Sequence, residues 1–273
     1  MTQKERNASC VGLLMALVCL LGLALFSHQE PTYQGKSLTE WAQQYGANHW
    51  SGTDRAADKE AEFAIQQVGT NAIPFLLSMM RARDSVLKKK LRTIVPEVWH
   101  DDLRLRDSSG EVRRVGAHGL AALGANAAAA GPALIELARN HPDDDGRYIA
   151  VFAIGTLGSA AEPAIPFLIQ CLTNKINFIR DDAALGLGYI HRRSEIAVPA
   201  LIQYLEFART SPSSFELRDA IESLARFGIE SKAAVPALLS LLNDPSPSLR
   251  QCVTNCLPRI DPEAAAEAHV KRQ

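Results

Sequence analysis

Hydrophobic residues recur along most of this chain with the spacing of amphipathic helices, in blocks of similar sequence. The block "LGSAAEPAIPFLIQCL" (157–172) matches "LGANAAAAGPALIELA" (123–138) upstream, and "IHRRSEIAVPALIQYL" (190–205) and "FGIESKAAVPALLSLL" (227–242) downstream. After the proline of each block come two adjacent aliphatic residues and, in most blocks, a further one a helical turn later. This spacing gives an apolar stripe on a helix. The repetition predicts a stack of helical hairpins, because no single hairpin can bury both of its faces.

Glycine and proline mark where these helices end and begin. Proline is tolerated in the first turn of a helix, so the prolines predict helix starts. A glycine after an apolar run can adopt the left-handed conformation that ends a helix. The prolines are Pro74, Pro132, Pro166, Pro199 and Pro236, and the residues eight positions before the last four are Gly124, Gly158, His191 and Gly228.

The blocks resemble HEAT repeats, of the short bacterial type that is similar to phycobilin-lyase repeats, over residues 56–262. Units of that family commonly carry an aspartate in a turn and an arginine six residues later. The resemblance implies an all-α fold, a right-handed α-α superhelix (a HEAT-type solenoid). We interpret the arginines as a structural ladder between successive turns, with a ligand-binding row of arginines as the alternative. The matching pairs are Asp107 with Arg113 and Asp244 with Arg250, and His141, Asn174 and Pro212 replace the acid before Arg147, Arg180 and Arg218.

The N-terminus carries a different pattern. Lys4 and Arg6 precede residues 10–26, which have no charged or strongly polar side chain. Seventeen residues span roughly 25 Å as a helix, near the lower limit for crossing a bilayer. A cleaved signal peptide and an uncleaved signal anchor both fit, and the lack of a good cleavage site favours the anchor. The two basic residues favour a cytoplasmic N-terminus. The solenoid is therefore expected on the non-cytoplasmic side, in the periplasm or exterior, and would be secreted if the segment were cleaved.

The predicted organisation follows from these segments. Ser37 and Glu40 form a capping box for a short helix through Tyr45, and a polar connector follows from position 46 to position 60. The segments are a cytoplasmic N-tail (1–9), a transmembrane signal anchor or signal peptide that gives an N-terminal hydrophobic helix (10–27), a connector with a short helix (28–55), a solenoid of about five hairpins plus a C-terminal cap helix (56–262) and a polar tail (263–273).

Composition and motifs argue against several functions. The formal net charge is −1, so no overall basic field recruits nucleic acid. The sequence has no phosphate loop, GxSxG or HExxH motif, and no histidine precedes a glutamate as in the iron-binding HEAT-like hydroxylases. Cys252 and Cys256 are interpreted as packed thiols, with a strained disulfide or half a metal site as alternatives. We expect no enzyme activity, no cofactor and no metal.

The interval between Pro74 and Pro132 is longer than one unit and contains a basic run, Lys88-Lys89-Lys90 with Arg92. We interpret this run as a solvated helix face, with binding to an anionic surface or an acidic partner as the alternative. Trp99 is interpreted as a plug over the edge of the first unit rather than as a binding aromatic.

The resemblance also implies that the helices that follow the prolines line the concave side of the solenoid. Their outward positions lie one, four and eight residues after each proline. These positions are mixed, rich in amides and dotted with phenylalanine, which suits a polypeptide better than a polyanion. The expected partner-binding residues are Phe75, Glu136, Phe167, Gln170, Gln203 and Phe207.

The sequence therefore predicts a non-catalytic protein-interaction scaffold, held at a membrane through residues 10–26 or exported, that binds a polypeptide on its concave face. One alternative is a lyase-like HEAT enzyme that handles a chromophore or another small ligand. It would need a reactive cysteine or acid in the groove, whereas Cys171 is expected to face the core. The other alternative is a purely structural envelope protein.

Overall fold

The computed structural model describes residues 30–51, 54–99, 108–209 and 214–270, and most of these residues are helical. A short antiparallel hairpin comes first, with β1 (Thr32–Tyr33) paired to β2 (Lys36–Ser37). The helices within the described residues are α1 (Leu38–Ser51), α2 (Arg55–Val68), α3 (Ile73–Met80), α4 (Val86–Ile94), α5 (Ser108–Leu123), α6 (Gly131–Asn140), α7 (Asp144–Thr156), α8 (Ile165–Cys171), α9 (Asn177–Ile190), α10 (Ser194–Ala208), α11 (Ser214–Phe227), α12 (Val235–Leu241), α13 (Pro247–Ile260) and α14 (Pro262–Val270).

Consecutive hairpins of these helices pack side by side around one continuous apolar core that runs from Leu38 to Ile260. The prediction of an all-α solenoid is confirmed. The N-tail (1–9), the apolar segment (10–27) and the last three residues lie outside the described residues.

The turns show why the repeated glycines and prolines are needed. Gly124, Gly158 and Gly228 have φ angles of 52°, 58° and 54°, in the left-handed region that ends the preceding helix. A 3₁₀ segment follows each of them, and the next α-helix then begins with its proline in the first turn. The helix boundaries in these three units are therefore set by local backbone preferences.

The unit that contains Pro199 departs from this pattern. His191 (φ 47°) stands at the glycine position, and Arg193 (φ 52°) adds a second left-handed residue. The chain thus turns within three residues, and α10 begins already at Ser194, which leaves Pro199 inside the helix. The expectation that Pro199 marks a helix start is wrong.

The helices form two layers that pack differently. The arginine-headed helices are α5, α7, α9, α11 and α13, and the proline-headed helices are α3, α6, α8, α10 and α12. A Cβ atom added at Gly155 would lie 2.8 Å from the Cα of Gly186, and one at Gly188 would lie 2.8 Å from the Cα of Ser223. Backbones of neighbouring arginine-headed helices therefore touch, whereas a hollow of about 440 Å³, lined also by Arg147 and Ile179, opens beside α6 and α8.

In a curved stack, the layer with the closer spacing lies on the inside. The arginine-headed helices therefore form the concave side, and the expectation that the helices following the prolines line it does not agree with this packing. Glycine at the crossing points of the arginine-headed helices permits their close approach.

Arginines in three turns donate to the carbonyl oxygen six residues earlier, which holds the end of the preceding helix. Each of these turns contains a second hydrogen bond, in which the backbone N–H two residues later donates to the side chain of the first turn residue. A turn acceptor is therefore needed there, not an acid, which explains how histidine and asparagine replace aspartate. The arginine bonds are Arg147 Nη1 to His141 O (2.9 Å), Arg180 Nη1 to Asn174 O (2.8 Å) and Arg250 Nη1 to Asp244 O (2.6 Å), and the accepted N–H groups are those of Asp143 (3.1 Å), Ile176 (2.9 Å) and Ser246 (2.8 Å).

Two arginines also link neighbouring units. The fully buried Arg113 donates from Nη2 to Asp145 Oδ2 on α7 at 2.7 Å, and Arg180 of α9 pairs with the buried Glu216 of α11. Arg218 differs, because it pairs with Glu222 on its own helix at 3.0 Å. Asp107 and Pro212 lie outside the described residues.

Both ends of the solenoid contain more helix than the sequence predicts. Ser37 and Glu40 do form the reciprocal capping box, with bonds of 2.7 Å and 3.2 Å, but α1 extends past Tyr45 to Ser51. Positions 46–51 and 55–60 are helical rather than a connector, and Gly46 allows α1 to pack on the His118 ring of α5. The predicted polar tail is helical through position 270.

Within the described residues, one stretch, 108–140, is long and apolar enough to span a bilayer by length and composition. It consists of α5, a 3₁₀ segment and α6, with the left-handed Gly124 between them. It is therefore a hairpin of the solenoid.

Candidate protein-interaction surface

The six residues expected to bind a partner, which we call the outer stripe, lie on the proline-headed helices. Glu136, Gln170, Gln203 and Phe207 are exposed, and Phe75 is half-buried against the core. Phe167 is buried, so the expectation that its ring points outward is wrong. The Arg139 guanidinium covers that ring at 5.0 Å from its centroid.

Phe167 and Gln170 do come together, in the hollow beside α6 and α8. Arg139 and Arg147 also line this hollow, and Cys171 forms part of its wall. Burial raises the pKa of the Cys171 thiol to about 11, so the sulfur is a neutral thiol at pH 7. Cys171 faces the core, as expected, and is a poor nucleophile.

Phe207 belongs to a separate network near the turns. Its ring stacks on Tyr204 with a centroid distance of 6.3 Å, and the Arg180 guanidinium lies 5.4 Å from its centroid. Tyr204 donates its hydroxyl to Asp181 Oδ1 at 2.9 Å. The ring of Phe207 is therefore tied to the Arg180–Glu216 pair of the ladder.

A second surface lies on the concave side, on α7, α9 and α11. Phe178, Asp182, Leu185 and Tyr189 are spaced one helical turn apart along α9, and Phe178 and Tyr189 are 60% and 46% exposed. We call this surface the inner face. It consists of Tyr148, Phe152, Phe178, Asp182, Leu185, Tyr189, Asp219, Glu222 and Arg226.

Contacts between helices make the inner face continuous. The rings of Tyr148 on α7 and Phe178 on α9 have centroids 5.9 Å apart. The guanidinium of Arg226 on α11 lies 4.4 Å from the ring centroid of Tyr189. The rings of α7 and α9 and the guanidinium of α11 thus join three consecutive units.

Two carboxyl groups lie beside these rings, and only Asp219 has cations near it, Arg218 and Arg226, which lower its pKa less than burial and neighbouring acids raise it. Burial, followed by repulsion from Asp181 and Asp219, raises the pKa of Asp182 to about 8. Burial, followed by repulsion from Asp181 and Glu222, raises the pKa of Asp219 to about 7. No donor or cation among the described residues forms a hydrogen bond or ion pair with either carboxyl group. A cation placed here would favour the ionised forms and relieve the repulsion.

The sequence contained a signal for this surface. The segment "IRDDAALGLGYI" (179–190) is rich in small residues, and in it Asp181 and Asp182 follow the ladder arginine Arg180. Phe178, just before this segment, and Tyr189, near its end, are spaced so that they share one face of a helix. The signal was missed because the concave side was assigned to the other layer.

The thiols and acids of the described residues provide no metal site. Cys252 and Cys256 line a cavity of about 280 Å³ with Arg218 and Glu222, and both are free thiols. A hydrogen bond from Cys252 lowers the pKa of Cys256 and raises that of Cys252. No group of three or more histidine, cysteine or acidic side chains within the described residues is placed to bind a metal. The run His100-Asp101-Asp102, whose side chains could in principle ligate a metal, lies outside the described residues.

The fold and this surface define a class of protein, an α-solenoid of helical hairpins with a continuous concave face. Family models for HEAT repeats match residues 131–225, and the HEAT repeat model also matches residues 234–262. These two segments of the chain are therefore similar to HEAT repeats. Repeats of this family indicate a protein-interaction scaffold.

Two solved structures match parts of this chain at low similarity. The complex of CpcE and CpcF of phycocyanin lyase from Nostoc sp. PCC7120 is 23% identical, covers 65% of this chain and 69% of its own, and has a TM-score of 0.46. An engineered protein is 17% identical, covers 85% of this chain and 97% of its own, and has a TM-score of 0.43. The comparison with curated proteins gave no match.

Proposed function

We propose that this protein is a non-catalytic scaffold that binds a basic polypeptide segment on its inner face. The observation that carries the proposal is the combination of half-exposed rings with unpaired carboxylates on one concave surface.

The rings favour a polypeptide ligand. Phe178 and Tyr189 present large apolar areas that water solvates poorly, and aromatic side chains are enriched at the centres of protein interfaces. They are held in place by Tyr148 and Arg226, so binding would require little ordering of the surface.

The carboxylates favour a basic segment. Asp182 and Asp219 have raised pKa values because they are buried near other acids, and the attraction of Arg218 and Arg226 offsets this only in part at Asp219. A lysine or arginine of a ligand would supply the missing charge, and an acidic ligand would add to the repulsion. The Arg226 guanidinium already lies over a ring of this surface, as an incoming arginine would.

The proposal includes attachment to a membrane through residues 10–26, with the solenoid on the non-cytoplasmic side. The support is the sequence pattern of an apolar segment behind two basic residues. Protease added to intact cells or spheroplasts should degrade the solenoid, whereas protection until lysis would contradict this part of the proposal.

Catalysis by a lyase-like mechanism is not favoured. Such an enzyme would need a reactive cysteine or acid in a groove. Cys171 is a buried neutral thiol, and we assign the acids of the inner face, Asp182 and Asp219, to charge recognition rather than to catalysis. Photocrosslinking distinguishes the hypothesis of a purely structural protein from that of a protein-binding scaffold.

Photocrosslinking in intact cells tests the inner face directly. p-Benzoylphenylalanine would replace Phe178 or Tyr189, and Gln203 or Phe207 of the outer stripe would serve as matched controls. We expect a discrete crosslinked protein from the inner positions only. Crosslinks from the outer positions alone would assign binding to the other layer, and none from either would favour a structural protein.

Charge variants test the chemistry of the captured partner. Asp182→Lys with Asp219→Lys should weaken its binding at least about tenfold, because the carboxylates supply the attraction. Gln170→Lys with Gln203→Lys should change it less than about twofold. Equal effects would contradict the proposed specificity for a basic segment.

A further inference from the structure

Helix α4 is amphipathic, but its apolar side faces away from the protein, which is the opposite of the usual arrangement in a soluble domain. None of its nine residues is buried. Val86, Leu87, Ile94 and the following Val98 are 67% to 80% exposed, and Trp99 is 55% exposed. Together with Leu91, these residues form what we call the α4 apolar stripe. The interpretation of Trp99 as a plug over the first unit is wrong.

The charged side of α4 faces the protein instead. Lys88 and Arg92 both pair with the carboxylate of Asp84, which is almost fully buried. Lys89 pairs with Asp143 at 2.6 Å, in the turn before α7. The ion pairs therefore orient α4 with its apolar side away from the solenoid.

Such an arrangement leaves apolar area in water without an evident gain in stability. A nine-residue helix is marginal by itself, and helices in proteins are normally stabilised by burying an apolar face. The α4 apolar stripe is larger than the scattered hydrophobic residues of an ordinary surface, and patches of this kind mark interaction sites.

We propose that α4 lies on the surface of an anionic lipid bilayer, with the α4 apolar stripe inserted among the acyl chains near the headgroups. This inference does not depend on the partner proposed for the inner face.

Charge complementarity selects the bilayer among possible occupants. Lys90 falls between Val86 and Ile94 around the helix, beside the stripe, where its ammonium can reach a headgroup while its stem lies in apolar surroundings. Lys90, Arg81 and Arg83 form no ion pair within the described residues, so their charges are available to anionic lipids. Trp99 lies at the end of the stripe, and tryptophan prefers the membrane–water interface.

The shape of the patch also suits a bilayer. The stripe residues project from one helix and its 3₁₀ extension, Glu97–Trp99, rather than lining a concave groove for a peptide. Residues 10–26, if they cross a membrane as the sequence predicts, would keep the solenoid near such a surface.

Quenching of Trp99 by brominated lipids tests the proposal on the full chain. The protein would be reconstituted in nanodiscs of phosphatidylcholine, with or without about one third phosphatidylglycerol, and lipids brominated on the acyl chain would quench inserted tryptophan. The signal of Trp99 is obtained by difference from Trp99→Phe. We expect quenching that is strongest with phosphatidylglycerol. An unquenched Trp99 in both kinds of nanodisc would overturn the proposal, even if residues 10–26 hold the protein in the disc.

Variants distinguish insertion of the α4 apolar stripe from an effect of exposed hydrophobic residues in general. Leu91→Glu with Ile94→Glu should abolish the quenching, whereas Ile229→Glu, at an isolated exposed site (75%), should leave it unchanged. Lys90→Gln should lower the ratio of quenched to unquenched Trp99 about fivefold in the anionic discs. The double variant and Lys90→Gln should both fold normally, as measured by circular dichroism, because none of the substituted residues is buried.

Hydrogen exchange of residues 86–99 identifies other occupants. Protection that requires anionic lipid supports the proposal. Protection without lipid that depends on protein concentration would assign the stripe to a second copy, and concentration-independent protection without lipid would assign it to the protein's own chain. Either result would overturn the proposal.

Discussion

The inner face and the outer stripe are built from the same repeat, yet their side chains are used differently. On the outer stripe the polar groups are solvated, and Phe167 is buried beneath Arg139. On the inner face the rings of Phe178 and Tyr189 remain exposed, and Asp182 and Asp219 lack partners. The layer whose helix backbones pack most closely thus carries the unsatisfied groups. Departures of this kind from local consistency are typical of functional sites.

The largest expected effect concerns the ladder of the arginine-headed layer. Arg180→Met would leave the buried Glu216 carboxylate unpaired, and we expect a loss of about 3–5 kcal/mol in the free energy of unfolding. Urea denaturation followed by circular dichroism measures it. Arg218→Met is the control, since the exposed pair with Glu222 should contribute less than about 1 kcal/mol. Similar losses would show that the two arginines have equal structural roles.

Glycine substitutions test the close spacing of the inner layer. Gly155→Ala places a Cβ atom 2.8 Å from the Cα of Gly186, which should lower the free energy of unfolding by about 1–3 kcal/mol. Gly131→Ala, at the start of α6, meets no atom within 4 Å and should be neutral or stabilising by up to about 1 kcal/mol. Unfolding curves of both variants check this. If Gly155→Ala did not lower the free energy of unfolding, α7 and α9 would not be in close contact, and the assignment of their layer to the concave side would be contradicted.

The unpaired acids of the inner face make stability depend on pH. The pKa of Asp182 is about 8 in the folded chain and near 4 when unfolded. Between these values the unfolded chain binds fewer protons, so stability falls as the pH rises. Asp182→Asn should remove this loss and stabilise the protein by on the order of 2 kcal/mol at pH 8, with little change at pH 4.

The matching control on the outer stripe is Glu136→Gln, an exposed site at which we expect less than about 0.5 kcal/mol of change at either pH. Thermal unfolding at pH 4, 6 and 8 compares the two variants. A gain for Asp182→Asn that is independent of pH would show that the carboxyl group titrates normally.

The smallest effect is kinetic and concerns the cavity of the outer layer. Cys171 should react with a thiol reagent at pH 7 more slowly than Cys256, because burial raises the pKa of Cys171 whereas the hydrogen bond from Cys252 lowers the pKa of Cys256. Mass spectrometry of digested, partially labelled protein measures each site, and labelling in urea gives the unprotected rates. Rapid native labelling of Cys171 would revive a lyase-like function.

The turn chemistry was largely predictable from the chain. Gly124, Gly158 and Gly228 adopt the left-handed conformation that their place after an apolar run predicts, because this preference is local. Pro199 was not predictable in this way. The helix that contains Pro199 begins early because Arg193 adopts the left-handed conformation, which arginine seldom does.

The candidate site was harder to predict. Spacing placed Gln170 and Gln203 on an exposed stripe, but it could not show that Arg139 covers Phe167 or that Asp182 lies near Asp219. These contacts join residues of different units, and their geometry depends on how closely the helices approach.

By itself, the sequence determined that this protein is a stack of helical hairpins, since helix periodicity and the ends marked by glycine and proline are properties of short segments. Only the tertiary structure decided which layer is concave, which acids are left without partners and which side of α4 faces outward. Those properties depend on distances between helix axes and on ion pairs between residues far apart in the chain, such as Lys89 with Asp143, which no local pattern encodes.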